Sequence, residues 1–486
     1  MNANSIVLLM LILSIGAVYG SNADGLNLVN AEEIVAQIQN GSPVDYDNAI
    51  IEGYIYLKSK SYLNNNTITN REATIEQGEN AGIQVRSPIK ITNSIIEGNV
   101  NFDRGDFQEI VNFEGTNFTK GVSFRGAIFR KNSIFTETEQ CGYVNFWLAK
   151  FGGDANFEKV IFKEYADFRH VQFNKSAIFL SDQFRKDAKF YKTIFLGPSY
   201  FSAVNFDRDA SFGNTIFDGI AEFDYSLFNG YADFRFADFS TDATFRGSFF
   251  NGSADFRDSK FKGDSDFLKT NYATDFDIRG IDFSKMNINW PSIANYLIAD
   301  GPVYLQLIRN FKNLERFDYA NECYLKYRIN SMNEKSPFDA QKYLDALAFL
   351  TCGFGVRPGF SVIWMLIFIV LFAILYWAID IFKEQPYPFA REPPSNIQNT
   401  TIVEATKNIF MEETKKAAMN PNLKTRSTTL IDALIFSAAL FFTLPPPLEY
   451  IKSRRFRILY IFEDILGWLM MALFMVTLLN VVLKSI

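Results

Sequence analysis

The chain has 486 residues, a formal net charge of −6 at pH 7, 51 Phe, three Cys and one His. An acidic balance argues against nucleic-acid binding, which needs a basic field. The lone His170 and the scattered Cys141, Cys323 and Cys352 exclude most His-dependent catalysis, a disulfide framework and Cys/His metal sites. With no nucleophile–base set, Walker loop or dinucleotide fingerprint, the chain reads as no enzyme, without cofactor or metal.

The first element is the apolar run Ile6–Val18, followed by Tyr19-Gly20-Ser21-Asn22-Ala23. Its length predicts a signal peptide over 1–23, cleaved near Gly20 or Ala23. The n-region lacks Lys and Arg, which leaves an uncleaved anchor as the alternative. Sequons at Asn40, Asn65, Asn117, Asn174, Asn251 and Asn399 permit glycosylation. Within 24–101, Asn48–Ile51 and Asn93–Ile96 read as early turns of a repeat, filled by Ile.

From Phe102 to Phe283 an aromatic residue recurs at alternating steps of five and six, and 31 of these 34 positions are Phe; the others are Gln140, Tyr272 and Ile278. A helical hendecad would put such residues on two separate stripes and would carry glycine repeatedly in its interior, at roughly 1 kcal/mol each. Short strands with tight polar corners fit better. In extended chain, residues i and i−2 share a face, and the residue two before Phe is often Ala, as at Ala166, Ala188, Ala210, Ala232 and Ala254. The ladder Phe168, Phe190, Phe212, Phe234, Phe256 is therefore expected to be core rather than a ligand-binding stripe. Gln140, within Thr136–Tyr143, predicts a loop pushed out of the stack.

The Ala-x-Phe motif followed by two polar residues resembles the pentapeptide-repeat family, in the variant that alternates five- and six-residue units. The resemblance implies a right-handed quadrilateral β-helix over 102–283. One coil would take about 22 residues, with the extra residue of each six-residue unit bulging at a corner; some eight coils at ~4.8 Å make a rod ~40 Å long. Family members that imitate DNA are a poor parallel, because 101–283 holds 27 acidic and 22 basic residues, a weak field.

Over 284–357 the spacing turns helical: Leu305, Ile308, Phe311 and Leu314, then Tyr319, Cys323 and Tyr327. Pro302 and Pro337 suit helix starts, and the segment reads as a cap on the last coil and a spacer. A partner-binding helix hairpin is the alternative. Gly353–Gly359 is the hinge into the C-terminal region.

The region 358–486 reads as a two-span membrane domain. Phe360–Phe382 is 23 residues with one charge, Asp380, and Ile458–Leu483 is a second span-length stretch. Between them, Leu430–Leu444 is 15 residues and runs into Pro445-Pro446-Pro447. That is short for a span, and reads as a re-entrant half-helix or as an interfacial amphipathic helix. The order, with Asp432–Ser437 and Phe442-Thr443 in the half-helix and Glu463 before Gly467 in the second span, resembles the two-span potassium-channel pore domain. The filter-equivalent positions are Thr443, Leu444, Pro445, Pro446 and Pro447, and Glu463 is the remaining candidate site residue. A potassium filter needs glycines that turn carbonyls to the axis, whereas prolines fix φ, so the motif is absent and potassium selectivity is not implied.

The 383–457 connection carries 11 basic and 7 acidic residues, which places it in the cytoplasm and the repeats outside the cell membrane. Familiar potassium channels place the half-helix outside. Either this domain is inverted, or it is a channel-shaped relic, or the N-terminal run is not a signal. The functional expectation is a multi-pass membrane protein with an extracytoplasmic rod and a channel-like domain, a homo-tetramer by resemblance. The alternative is a membrane-anchored scaffold or adhesion protein. Its partners would be the bilayer and an extracellular or protein ligand of the rod, not nucleic acid.

Overall fold

A computed structural model describes residues 27–57, 83–379, 429–442 and 454–482. The candidate signal peptide, the filter-equivalent positions Thr443–Pro447 and Asp380 lie outside the described residues. The chain divides into two compact units, Met1–Asn310 and Phe311–Ile486.

The first unit is a parallel β-solenoid of about eleven turns, two of whose faces each carry an 11-stranded sheet. Most strands are two residues long and pair with a strand 22 residues on: Ala166 with Ala188, Ala188 with Ala210, Ala210 with Ala232. The other two faces form one 19-stranded sheet, because Lys260–Asp266 pairs with both Asp238–Phe239 and Ala243–Thr244 and so rounds a corner in strand conformation. Each coil thus has four faces. The stack also begins before the Phe ladder: Ile51 and Ile96 are fully buried register partners in neighbouring turns.

The left-handed turns lie in the five-residue steps. From Phe168 the chain turns through Arg169 and His170, Val171 N–H returns to Phe168 O, and His170 takes φ 58°. Positive φ recurs every eleven residues, from Arg104 through Ser181, Ala203 and Tyr225 to Gly280. Few of these positions are glycine, and none is β-branched. A β-branched side chain is the type least able to enter the left-handed region. Some six-residue steps make a different demand: a Cβ on Gly252 would sit 2.0 Å from Gly230 O in the coil before, so the backbones there meet without room for a side chain.

Four columns of Phe fill the interior. Within a column the rings stack nearly parallel: Phe168 to Phe190 at 4.9 Å and 4°, Phe234 to Phe256 at 4.7 Å and 4°. Neighbouring columns meet edge to face, as Phe190 does with Phe201 at 5.3 Å and 88°. Both geometries suit the ring quadrupole, and all five rings from Phe168 to Phe256 are fully buried.

Gln140 corrects the expectation of a loop. It sits in strand Glu139–Gln140, paired with Phe118 and Phe162, and is 3% exposed. Its Nε2 reaches Thr138 Oγ1 at 3.4 Å, while Oε1 has no protein partner. The ladder hydrogen bonds of Glu139 and Cys141 to Thr116 O and Phe118 O keep this turn in the stack.

A second inward series lies two residues before the Phe that closes each five-residue step. At several of these positions a Thr hydroxyl donates to a carbonyl 25 residues back: Thr193 to Phe168 O at 2.6 Å, Thr215 to Phe190 O at 2.7 Å, Thr270 to Phe245 O at 2.8 Å. Asp182 occupies the same position. It is fully buried, accepts from Val160 N–H at 2.8 Å, and leaves Oδ2 unpartnered.

Both ends of the stack are covered. Helix α1 (Ala31–Asn40), N-capped by Asn30, buries Ala31, Ile34 and Ile38. At the other end, the short helix α2 (Trp290–Ile293) precedes strand Leu297–Ile298, and helix α3 (Gly301–Asn313) follows. Asn310 behaves as one more strand: its amide accepts from Met286 N–H at 3.0 Å and donates to Met286 O at 2.7 Å, while Gln306 donates to Phe283 O. These bonds satisfy the backbone of Met286 and the carbonyl of Phe283 at the open edge. The buried stripe of α3 includes Val303, Tyr304, Leu307 and Ile308, whereas Leu305, expected inside, is exposed.

The second unit is helical: α4 (Phe317–Glu334), α5 (Ala340–Cys352), α6 (Pro358–Ile379), α7 (Leu430–Phe441) and α8 (Arg454–Val482). Asp345 of α5 is buried against Lys335, 2.6 Å away, and Arg328 of α4, 3.0 Å away. The Lys335 ammonium foremost holds its carboxyl below the usual carboxylate range.

Candidate functional site

Two helices are long and apolar enough to cross a membrane, Pro358–Ala378 within α6 and Arg457–Val481 within α8. Neither resembles the buried helix of a soluble core. Leu366, Leu371 and Trp377 of α6, and Phe462, Ile465, Trp468 and Leu469 of α8, are at least half exposed. Helix α7, with twelve residues, reaches about 18 Å, short of the ~30 Å of a hydrocarbon core. Its start is fixed by a capping box, in which Asp432 N–H donates to Thr429 Oγ1 and Thr429 N–H returns to Asp432 Oδ2.

Helix α7 packs on both long helices. Ala433, Phe436 and Leu440 meet Phe372, Ala373 and Tyr376 of α6 and Tyr460 of α8, while Phe441 lies with Met365, Ile369 and Met470. At the centre of this apolar cluster is a carboxylate. Glu463 is fully buried; Ser437 Oγ lies 2.5 Å from its Oε1, and Tyr376 OH donates to Oε2. Ser437 Oγ is also 2.9 Å from Ile369 O. One side chain of α8 is therefore bonded to both α6 and α7. One turn further along both helices the contact repeats without side chains, since a Cβ on Gly467 would stand 2.5 Å from Phe441 O. Positions 463 and 467 share a face of α8, as 437 and 441 share one of α7, so the short helix is held at two successive turns.

Sequence reading singled out Glu463 and the Gly after it. It did not find Ser437 or Tyr376 as partners, which lie 26 and 87 residues away. The one available signal was that a carboxylate in an apolar stretch must find a hydrogen-bond donor. Phe168, Phe190, Phe212, Phe234 and Phe256 stand together in one fully buried core column. Among the described residues no group of His, Cys, Asp and Glu is placed to hold a metal.

Residues 91–139 and 183–227 match the family model for pentapeptide repeats, with nine copies. No curated protein and no solved structure matches the chain. The chain thus contains pentapeptide repeats folded as a β-solenoid. The matched residues all fall within the solenoid, and no family match supports a channel pore domain in the helical unit.

Proposed function

We propose that the chain is an integral membrane protein in which α6 and α8 cross the bilayer, α7 enters it part-way, and several copies surround an ion path. The observation that carries this is the seating of α7. A helix too short to span is locked between two span-length helices through Ser437, Glu463 and Gly467, and its C-terminal end leads into Thr443–Pro447. Carbonyl dipoles at that end favour cations. Three prolines in place of glycines lead us to assign a path of low selectivity rather than a potassium filter. The excess of Lys and Arg in 383–457 supports a cytoplasmic connection and a rod outside.

Purified full-length protein in planar bilayers tests the proposal. A cation current is expected, together with an oligomer in mild detergent, and Ser437→Ala should alter the current. Silence across ions and voltages, with a monomer in detergent, contradicts it and leaves the spans as an anchor.

A further inference from the structure

Helix α5 presents an apolar stripe that none of the described residues of its own unit covers. Tyr343, Leu344, Leu347 and Leu350 follow one another at helical spacing, and all are more than half exposed. Phe338, just before the helix, is 97% exposed. The opposite face is engaged: Asp345 pairs with Arg328 and Lys335, and Cys352 is buried. The uncovered stripe is therefore the remaining side of a docked helix.

The position of α5 indicates what covers the stripe. Its last carbonyls are held by the first turns of α6, where Ser361 Oγ donates to Thr351 O at 3.0 Å and Trp364 Nε1 donates to Leu350 O at 2.8 Å. The same end of α6 exposes Val362, Ile363, Leu366 and Ile367, so the apolar surface runs on from α5 into the candidate span. A Trp in the second turn of a span is where interfacial tryptophans sit.

We infer that α5 lies in the interfacial layer of the bilayer, with Phe338, Tyr343, Leu344, Leu347 and Leu350 among lipid acyl chains and glycerol groups. This rests on the membrane reading given above for α6 and α8. The helix would fix the depth of the first span.

The test uses the full chain in vesicles of zwitterionic and anionic phospholipid, with Cys141, Cys323 and Cys352 replaced by Ala. An environment-sensitive fluorophore is attached at Leu347→Cys, and in separate samples at Leu344→Cys and Leu371→Cys. The label at 347 should shift to shorter wavelength and lose more emission to a quencher on a shallow acyl carbon than to one at the chain end. The label on the span at 371 should favour the deep quencher. Failure at 371 defeats the membrane reading itself. Success at 371 with labels at 347 and 344 open to aqueous iodide overturns the inference alone. Labels shielded from iodide and from both lipid quenchers would also overturn it, because another copy of the chain would then cover the stripe. If a labelled variant does not assemble, proteolysis at 336–344 in the unmodified chain decides the same question: protection in vesicles supports the inference, and ready cleavage in vesicles contradicts it.

Discussion

Phe212 and Phe234, 22 residues apart, stack with centroids 4.9 Å apart and planes within 4°. Phe212 also stacks on Phe190 and meets Phe201 and Phe223 edge on. Phe212→Ala should cost about 3–5 kcal/mol, the range for a buried Phe, and Phe212→Leu should cost less. In a linear array the damage stays near the altered coil, so limited proteolysis should open 190–234 before the rest.

Asp182 is a fault in an otherwise consistent series. Burial first, with the charge of Glu158 adding to it, pushes its carboxyl well above the usual range, against the opposing bond from Val160 N–H. The folded chain holds this proton to a higher pH than the unfolded chain. The stability it contributes is therefore full below the unfolded value of ~3.9 and falls as pH rises towards the folded value. Asp182→Thr supplies the hydroxyl used at Thr193 and Thr215. It should raise the unfolding midpoint at pH 7, with the advantage shrinking near pH 3, as followed by thermal unfolding at both pH values.

Gln140 interrupts the column between Phe118 and Phe162 and buries an unpaired oxygen. Gln140→Phe removes that atom and adds a ring where the neighbouring coils already carry one. A gain of about 1–3 kcal/mol is expected, the usual cost of a buried unsatisfied group, read from denaturant unfolding. A loss would mean that the turn is too tight for a ring.

Ala203 holds φ 59°. Ala203→Gly should stabilise and Ala203→Val should destabilise, with the glycine gain no larger than the ~1–2 kcal/mol of left-handed strain. Equal effects of the two substitutions would show that the corner tolerates any side chain.

Much of the solenoid could be read from the chain because its core repeats one chemical type at one spacing: Phe168, Phe190 and Phe212 reveal the coil length directly. The corners could not be read, since Arg104, Ser181, Tyr225 and Asp258 share a backbone conformation and no chemistry. Gln140 misled because polarity suggested a loop, whereas neighbouring backbone ladders kept it in place. Helix α1 was missed because a two-residue apolar signal, Ile34 and Ile38, is too short to show a period. At the candidate site Glu463 stood out as a carboxylate in an apolar stretch. Its partners on other helices leave no pattern along the chain.

Tyr376→Phe and Ser437→Ala each remove one bond from Glu463, and each should lower the detergent stability of the helical unit by about 1–3 kcal/mol. Glu463→Gln, which can still bond to both, should cost less than Glu463→Leu. The reverse order would mean that the carboxylate is tolerated rather than used.

Both the ion path and the interfacial helix depend on α6 crossing a bilayer, and sidedness tests that most directly. In cells expressing the full chain, single cysteines at Lys192 on the rod and at Lys415 in the connection are exposed to a membrane-impermeant thiol reagent. A spanning α6 predicts labelling of 192 on intact cells, with labelling of 415 only after the membrane is opened. Labelling of both positions from the same side would mean that α6 does not span, and would contradict the membrane assignment.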